Sequence, residues 1–117
     1  MNTARTIFGA VVSGAMLLAA PASADSPSAR RLLSNWKSDD PMMSMIAEVI
    51  ASAFATGLSS AGSLSGKPVY CPPPGVKARE AMSAFERFLA DHPDMAERPY
   101  GEALAASLTQ EFPCSTL

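Results

Sequence analysis

The chain has 117 residues, nine basic and eleven acidic, for a net charge of −2. That length suits one domain. The mild acidity, with no basic stripe, excludes a nucleic-acid-binding platform.

Residues 1–24, "MNTARTIFGAVVSGAMLLAAPASA", carry Arg5 near the amino terminus, an uncharged run from Ile7 to Ala20, then Pro21 and the small-residue site Ala22-Ser23-Ala24. This is the pattern of a secretory signal peptide. Its apolar run is shorter than the roughly 20 residues of a membrane span, so an uncleaved anchor helix is the weaker reading. No cysteine follows the cleavage point to take a lipid. The expected mature product is a single domain over 25–117, in the periplasm and off the membrane. Arg5 leaves with the leader, so eight basic residues face eleven acidic ones. A chain this short has a limited core and gains from a covalent staple, which an oxidising compartment permits.

Alternating apolar runs are missing, and Ala, Leu, Met and Phe recur at helical spacing instead. The expected fold is all-α, a bundle of about four helices. Residues 28–38 predict the first, with Ser28 as N-cap and Leu32, Leu33 and Trp36 as its apolar stripe. Residues 38–58 predict the second, capped by Asp40 with Pro41 at the first helical position. Met42, Met45, Ile46, Val49, Ile50, Ala53, Phe54 and Leu58 give it a wide apolar face, interrupted by Glu48. Such a helix should be covered on most sides, by the rest of the fold or by a second subunit. Methionine at this spacing reads as core more readily than as a plastic binding surface. Ala47, Ala51 and Ala55 would admit another helix closely.

Residues 59–75 predict a connector, because Gly62 and Gly66 break helix and Pro68 and Pro72–Pro74 keep the chain extended. Residues 76–93 predict the third helix, with Ala78, Met82, Phe85, Phe88 and Leu89 inward and Lys77, Glu80, Glu86 and Arg87 outward. His92-Pro93 ends it, since a residue before proline is pushed out of helical geometry. Residues 98–114 predict the fourth, with Leu104, Leu108 and Phe112 spaced by four and Pro113 as its stop.

Convergent chemistry is missing from this pattern. The single histidine, His92, lies at a helix end, and no serine sits in a nucleophile-elbow motif. Two cysteines and one histidine without short spacing do not supply the four ligands of a structural zinc site, and no cofactor is implied. "HPD" at 92–94 matches the loop of J-domain cochaperones, but it follows a helix of mixed charge in an exported chain, and three residues match by chance. Cys71 and Cys114 are the only cysteines. In a small exported domain they are expected to form one disulfide, tying the start of helix three to the end of helix four.

The stretch from Tyr70 to Cys114, "YCPPPGVKAREAMSAFERFLADHPDMAERPYGEALAASLTQEFPC", resembles the Rap/Tai immunity family. Cys71-Pro72, Leu89 with His92-Pro93, Leu104, Leu108 and Phe112-Pro113-Cys114 stand in the family's frame. The first half departs from it. Trp36 and Met45 stand about where many members have two further cysteines, with Glu48 and Ala51 following. Lys77-Ala78-Arg79-Glu80 replaces a Thr-x-x-Gln capping box, which marks a divergent member. The resemblance implies a non-enzymatic, exported homodimer that binds and inhibits a type VI secreted peptidoglycan amidase effector. Within that frame the expected contact surface is the 91–98 loop, with Asp91, His92, Asp94, Glu97 and Arg98. The alternative is a general periplasmic helical binder of the acid-stress chaperone kind, with the Met-rich helix as a switchable surface and no toxin partner.

Overall fold

The computed structural model describes residues 26–115; the segment 1–24, expected from the sequence to be a signal peptide, lies outside them. Four helices make the fold: α1 (Ala29–Trp36), α2 (Pro41–Ser65), α3 (Ala78–Asp91) and α4 (Tyr100–Glu111). A 3-10 turn, Pro93–Glu97, joins α3 to α4. The described residues contain no named strand, only one isolated antiparallel bridge between Ser28 and Pro99.

The helix starts follow their caps. Ser28 Oγ accepts from the Arg31 amide at 3.2 Å, and Asp40 Oδ1 accepts from the Met42 amide at 2.9 Å. Each satisfies an amide that the helix itself leaves without a partner. Pro41 opens α2, where its missing N–H costs nothing. At α3 the N-cap is Lys77, which makes no side-chain cap bond, since an ammonium cannot accept one.

The core gathers the predicted stripes. Met82 and Phe85 of α3 and Leu104 and Leu108 of α4 are fully buried, with Leu32 of α1 and Ala47 and Ala51 of α2 packed into the same cluster. Phe112 and Trp36 border it, half-buried. The buried alanines leave no side-chain bulk between α2 and its neighbours. Glu48, which breaks the apolar run of α2, accepts a hydrogen bond from Trp36 Nε1 at 3.2 Å. Arg79 Nε lies 3.8 Å from the same carboxylate oxygen. One acid thereby links α1, α2 and α3.

Two expectations fail in α2. The helix does not end at Leu58 but continues through Ser65. Gly62 is carried inside it, buried, because the returning chain crosses there: a Cβ on Gly62 would stand 2.9 Å from Pro68 Cα. The helix stops at Gly66, whose φ of 71° is the left-handed cap conformation that glycine adopts without strain. The second failure concerns cover. Met42, Met45, Ile46, Val49 and Leu64 are 62, 57, 45, 61 and 90 % exposed, so Met42 and Met45 are not core. With α1, α3 and α4 all packed against α2, the described residues hold no further helix to lay over its outer side.

The second half closes as a clamped hairpin. Cys71 and Cys114 form a disulfide with their Cα atoms 4.9 Å apart. Beside it the Cys71 amide donates to the Phe112 carbonyl at 2.9 Å, and Tyr70 meets the Phe112 ring edge-on at 5.9 Å. Burial pushes the Tyr70 phenol above its ordinary value.

Replacing both cysteines by serine should remove roughly 4 kcal/mol of stability, the chain-entropy value for a loop of 43 residues, while leaving the helix content of the native state intact. Urea unfolding followed by circular dichroism reads both quantities. Alkaline titration supplies a second measurement. The folded state favours the neutral Tyr70 phenol, whereas the unfolded phenol ionises near pH ~10. Stability contributed by Tyr70 is therefore complete below about pH 10 and declines as the pH rises through the folded-state pKa. Tyr70→Phe should abolish that part of the decline.

Candidate functional site

The segment from Asp91 to Arg98 leaves α3, turns through the Pro93–Glu97 3-10 helix, and enters α4. Its shape is fixed by backbone bonds. The Ala29 amide donates to the Arg98 carbonyl at 2.8 Å, and the Tyr100 amide donates to the Pro27 carbonyl at 3.0 Å. These two bonds splice the start of α1 onto the start of α4. The turn itself packs against α1 and α3.

The predicted site residues divide into two sets. His92 is a structural residue. Its ring stacks on Phe88 at 4.3 Å, its Nδ1 lies 3.0 Å from the Phe88 carbonyl, and its backbone is the C-cap of α3. Glu97 and Arg98 are exposed but paired: Glu97 Oε1 with Arg30 Nη2 at 2.6 Å, and Arg98 Nε with Glu102 Oε2 at 2.9 Å. Exposed pairs of this kind contribute little stability, but they hold long side chains in place. Asp91 and Asp94 are exposed and enter no ion pair or side-chain hydrogen bond among the described residues. Among the described residues they are the two carboxylates of the 91–98 segment without a side-chain partner.

Beside the turn lies an open groove floored by Leu33, Leu89, Ala90, Pro93 and Ala96, with Arg30 and Glu86 on its rim. Glu86 also pairs with Lys37. The groove was not foreseen from the sequence, because its floor draws on three elements. Helical periodicity nonetheless places Leu33 and Leu89 on inward faces.

The geometry suits recognition more than catalysis. No cluster of three His, Cys, Asp or Glu residues able to hold a metal occurs among the described residues. His92 stands with a backbone carbonyl and a phenyl ring, with neither a nucleophile nor a carboxylate hydrogen-bonded to it.

The family model described as Rap1a immunity proteins matches residues 15–114. The match covers both halves of the chain, including α1 and α2, where the cysteine pattern departs. No curated protein matches, and no solved structure matches.

The splice between α1 and α4 predicts slow hydrogen exchange at the Ala29 and Tyr100 amides, although both sit in the first turn of their helices, where exchange is ordinarily fast. Residue-resolved exchange by nuclear magnetic resonance should show both protected well above the amide of Asp94, in the first turn of the 3-10 helix.

Proposed function

Because the chain belongs to the Rap1a immunity protein family, whose role is immunity against type VI effectors, we propose that it is an exported periplasmic homodimer that binds and inhibits a peptidoglycan amidase effector. The protein acts by occupying a surface and makes or breaks no bond. The observation that supports this reading is the 91–98 segment: it is held by backbone bonds, carries two exposed carboxylates, Asp91 and Asp94, with no ion pair among the described residues, and through Pro93 and Ala96 lines part of an apolar groove.

A turn fixed before binding loses little conformational freedom on docking, so more of its contact energy appears as affinity. Its carboxylates offer acceptors to the donors that an amidase uses to hold a peptide. The groove offers apolar surface to a side chain from the rim of the enzyme cleft. Glu97 and Arg98 contribute by holding the turn against α1 and α4. His92 contributes by ending α3 at the right place. The leader at 1–24 supplies export, and the disulfide suits the oxidising compartment in which an effector would be met.

The chaperone-like alternative draws on the exposed methionines of α2. It requires that face to open to unfolded clients in acid, and it makes no use of the turn. Family membership favours immunity.

The test is inhibition of an exported amidase encoded next to this chain. The purified mature protein should bind that enzyme and block its hydrolysis of peptidoglycan. Asp91→Asn with Asp94→Asn should weaken binding by roughly 10-fold to 100-fold, yet change unfolding free energy by no more than about 0.5 kcal/mol, as expected of exposed sites. Binding by calorimetry and stability by denaturant titration separate the two effects. Full inhibition by the double variant would remove the turn from the contact. Absence of inhibition of any neighbouring amidase would remove the amidase reading.

A further inference from the structure

The exposed side of α2 is the largest feature of the molecule that the proposed contact turn does not use. Along it run Met42, Ile46, Val49, Ala53, Gly57, Ser60 and Leu64, spaced by three or four residues and all exposed, with Met45 on the flank. Glu48 is the single charged residue of the helix, and it is turned away, toward Trp36 and Arg79. The face therefore carries no charge from end to end. By length and composition α2 would also suffice to cross a membrane, but its other side is occupied by α1, α3 and α4.

Three observations point to what covers it. First, the five large side chains, 45–90 % exposed, leave roughly 600 Å² of surface uncovered along α2, the top of the range for the largest apolar patch on an ordinary monomer. Two such faces together bury about 1,200 Å², the lower bound of a stable protein interface. Second, Gly57 sits in mid-helix, where glycine is a poor helix former, and a Cβ there would meet nothing within 4 Å of this chain. Nothing in the protomer's own fold requires glycine at that position; close approach of another chain would. Gly57 also lines a wholly apolar open groove of about 400 Å³ with Ala53, Phe54, Leu58 and Ala105. Third, the face is complementary to its own reverse. Its amino-terminal half is large (Met42, Ile46, Val49) and its middle and carboxy-terminal part small (Ala53, Gly57, Ser60), with Leu64 closing the end.

We propose that the α2 face pairs with the same face of a second copy, antiparallel, about a two-fold axis at Ala53. In that register Val49 of one copy packs on Gly57 of the other, Ile46 on Ser60 and Met42 on Leu64, while Ala53 meets its own mate. Each contact occurs twice, as an isologous interface requires. The small residues let the helix axes approach closely, and the large ones fill the space on either side. This inference gives the proposed homodimer its interface and does not depend on the identity of an effector.

The test uses the mature disulfide-bonded protein alone, by sedimentation equilibrium at tens of micromolar. The wild type should run as a dimer. Val49→Glu and Gly57→Glu, both at exposed positions, should each raise the dimer dissociation constant at least roughly 100-fold, because each places an unpaired charge in the seam, with unchanged circular dichroism as the folding control. Ala53→Cys should cross-link to its mate on mild oxidation, whereas Val49→Cys should not. In the antiparallel register two copies of residue 49 stand about 12 Å apart along the helix, beyond disulfide reach. A monomeric wild type, or a dimer that neither glutamate weakens, would overturn the interface. Ready cross-linking through Val49→Cys, or none through Ala53→Cys in a protein that is dimeric, would overturn the register. A monomer that floats with phosphatidylethanolamine–phosphatidylglycerol vesicles would overturn the second copy in favour of a bilayer. Effector inhibition is read separately, so a failed dimer and a failed immunity role remain distinguishable.

Discussion

The bond between Cys71 and Cys114 is the constraint around which the second half of the fold is arranged. Two segments with no regular structure meet there, and neither has enough apolar surface to hold itself down. The covalent link and the adjacent Cys71 amide to Phe112 carbonyl bond fix the pair. Once fixed, Tyr70 is delivered against Phe112 and into the core. Pro72 beside Cys71 and Pro113 beside Cys114 keep helix from propagating into the joint. The hairpin of α3 and α4 is then closed at one end by the disulfide and at the other by the 93–97 turn. A core built chiefly from Met82, Phe85, Leu104 and Leu108 is small, and a two-ended closure limits the ways in which so small a core can open.

Helix α2 is held differently. It has no covalent link, and its inner side is lined by alanines that bury little area each. Its rotation is set by the packing of Ala47, Ile50, Ala51, Phe54 and Leu58 on the core, and Glu48 adds a polar tie. The carboxylate accepts from the Trp36 indole and faces Arg79, so α2 cannot turn its charged side outward without breaking both contacts. In the Rap/Tai pattern further cysteines are expected near this junction; here an indole and a carboxylate tie α1 to α2. The consequence is that the uncharged side of α2 faces solvent in a single chain.

Much of this was legible in the sequence because it rests on local chemistry. Ser28 and Asp40 announce helix starts through side chains that reach only two or three residues forward. His92-Pro93 and Phe112-Pro113 announce helix ends through proline sterics. Leu104, Leu108 and Phe112 share a face because the helix period places them there. The cysteine pair is fixed by arithmetic, since there are only two. What the sequence did not disclose depends on tertiary contacts. Gly62 reads as a helix breaker, yet it lies inside α2 because Pro68 needs the space above it. Met42 and Met45 read as core because periodicity reports that a face is apolar, not what lies against it. At the turn, sequence proximity groups Asp91, His92, Asp94, Glu97 and Arg98 together. Only the positions of Arg30, Glu102 and Phe88 separate the paired members and His92 from the two free carboxylates.

The two outward-looking surfaces differ in chemistry and in place, and this bears on how one small domain can serve two associations at once. The 93–97 turn packs against α1 and α3, and its free groups are carboxylates suited to a polar, dissociable contact. The exposed side of α2 is uncharged and methionine-rich, suited to a contact that excludes water. A dimer formed through α2 would shield the apolar face and leave Asp91 and Asp94 in solvent. It would also present the turn twice, once from each copy. Shielding would matter with or without an effector: a chain with an uncovered apolar helix face is prone to non-specific association. Self-pairing would remove that hazard by the same surface that creates it. In such a dimer the 91–98 turn could stay polar, because a second copy would bury α2 in place of additional chain.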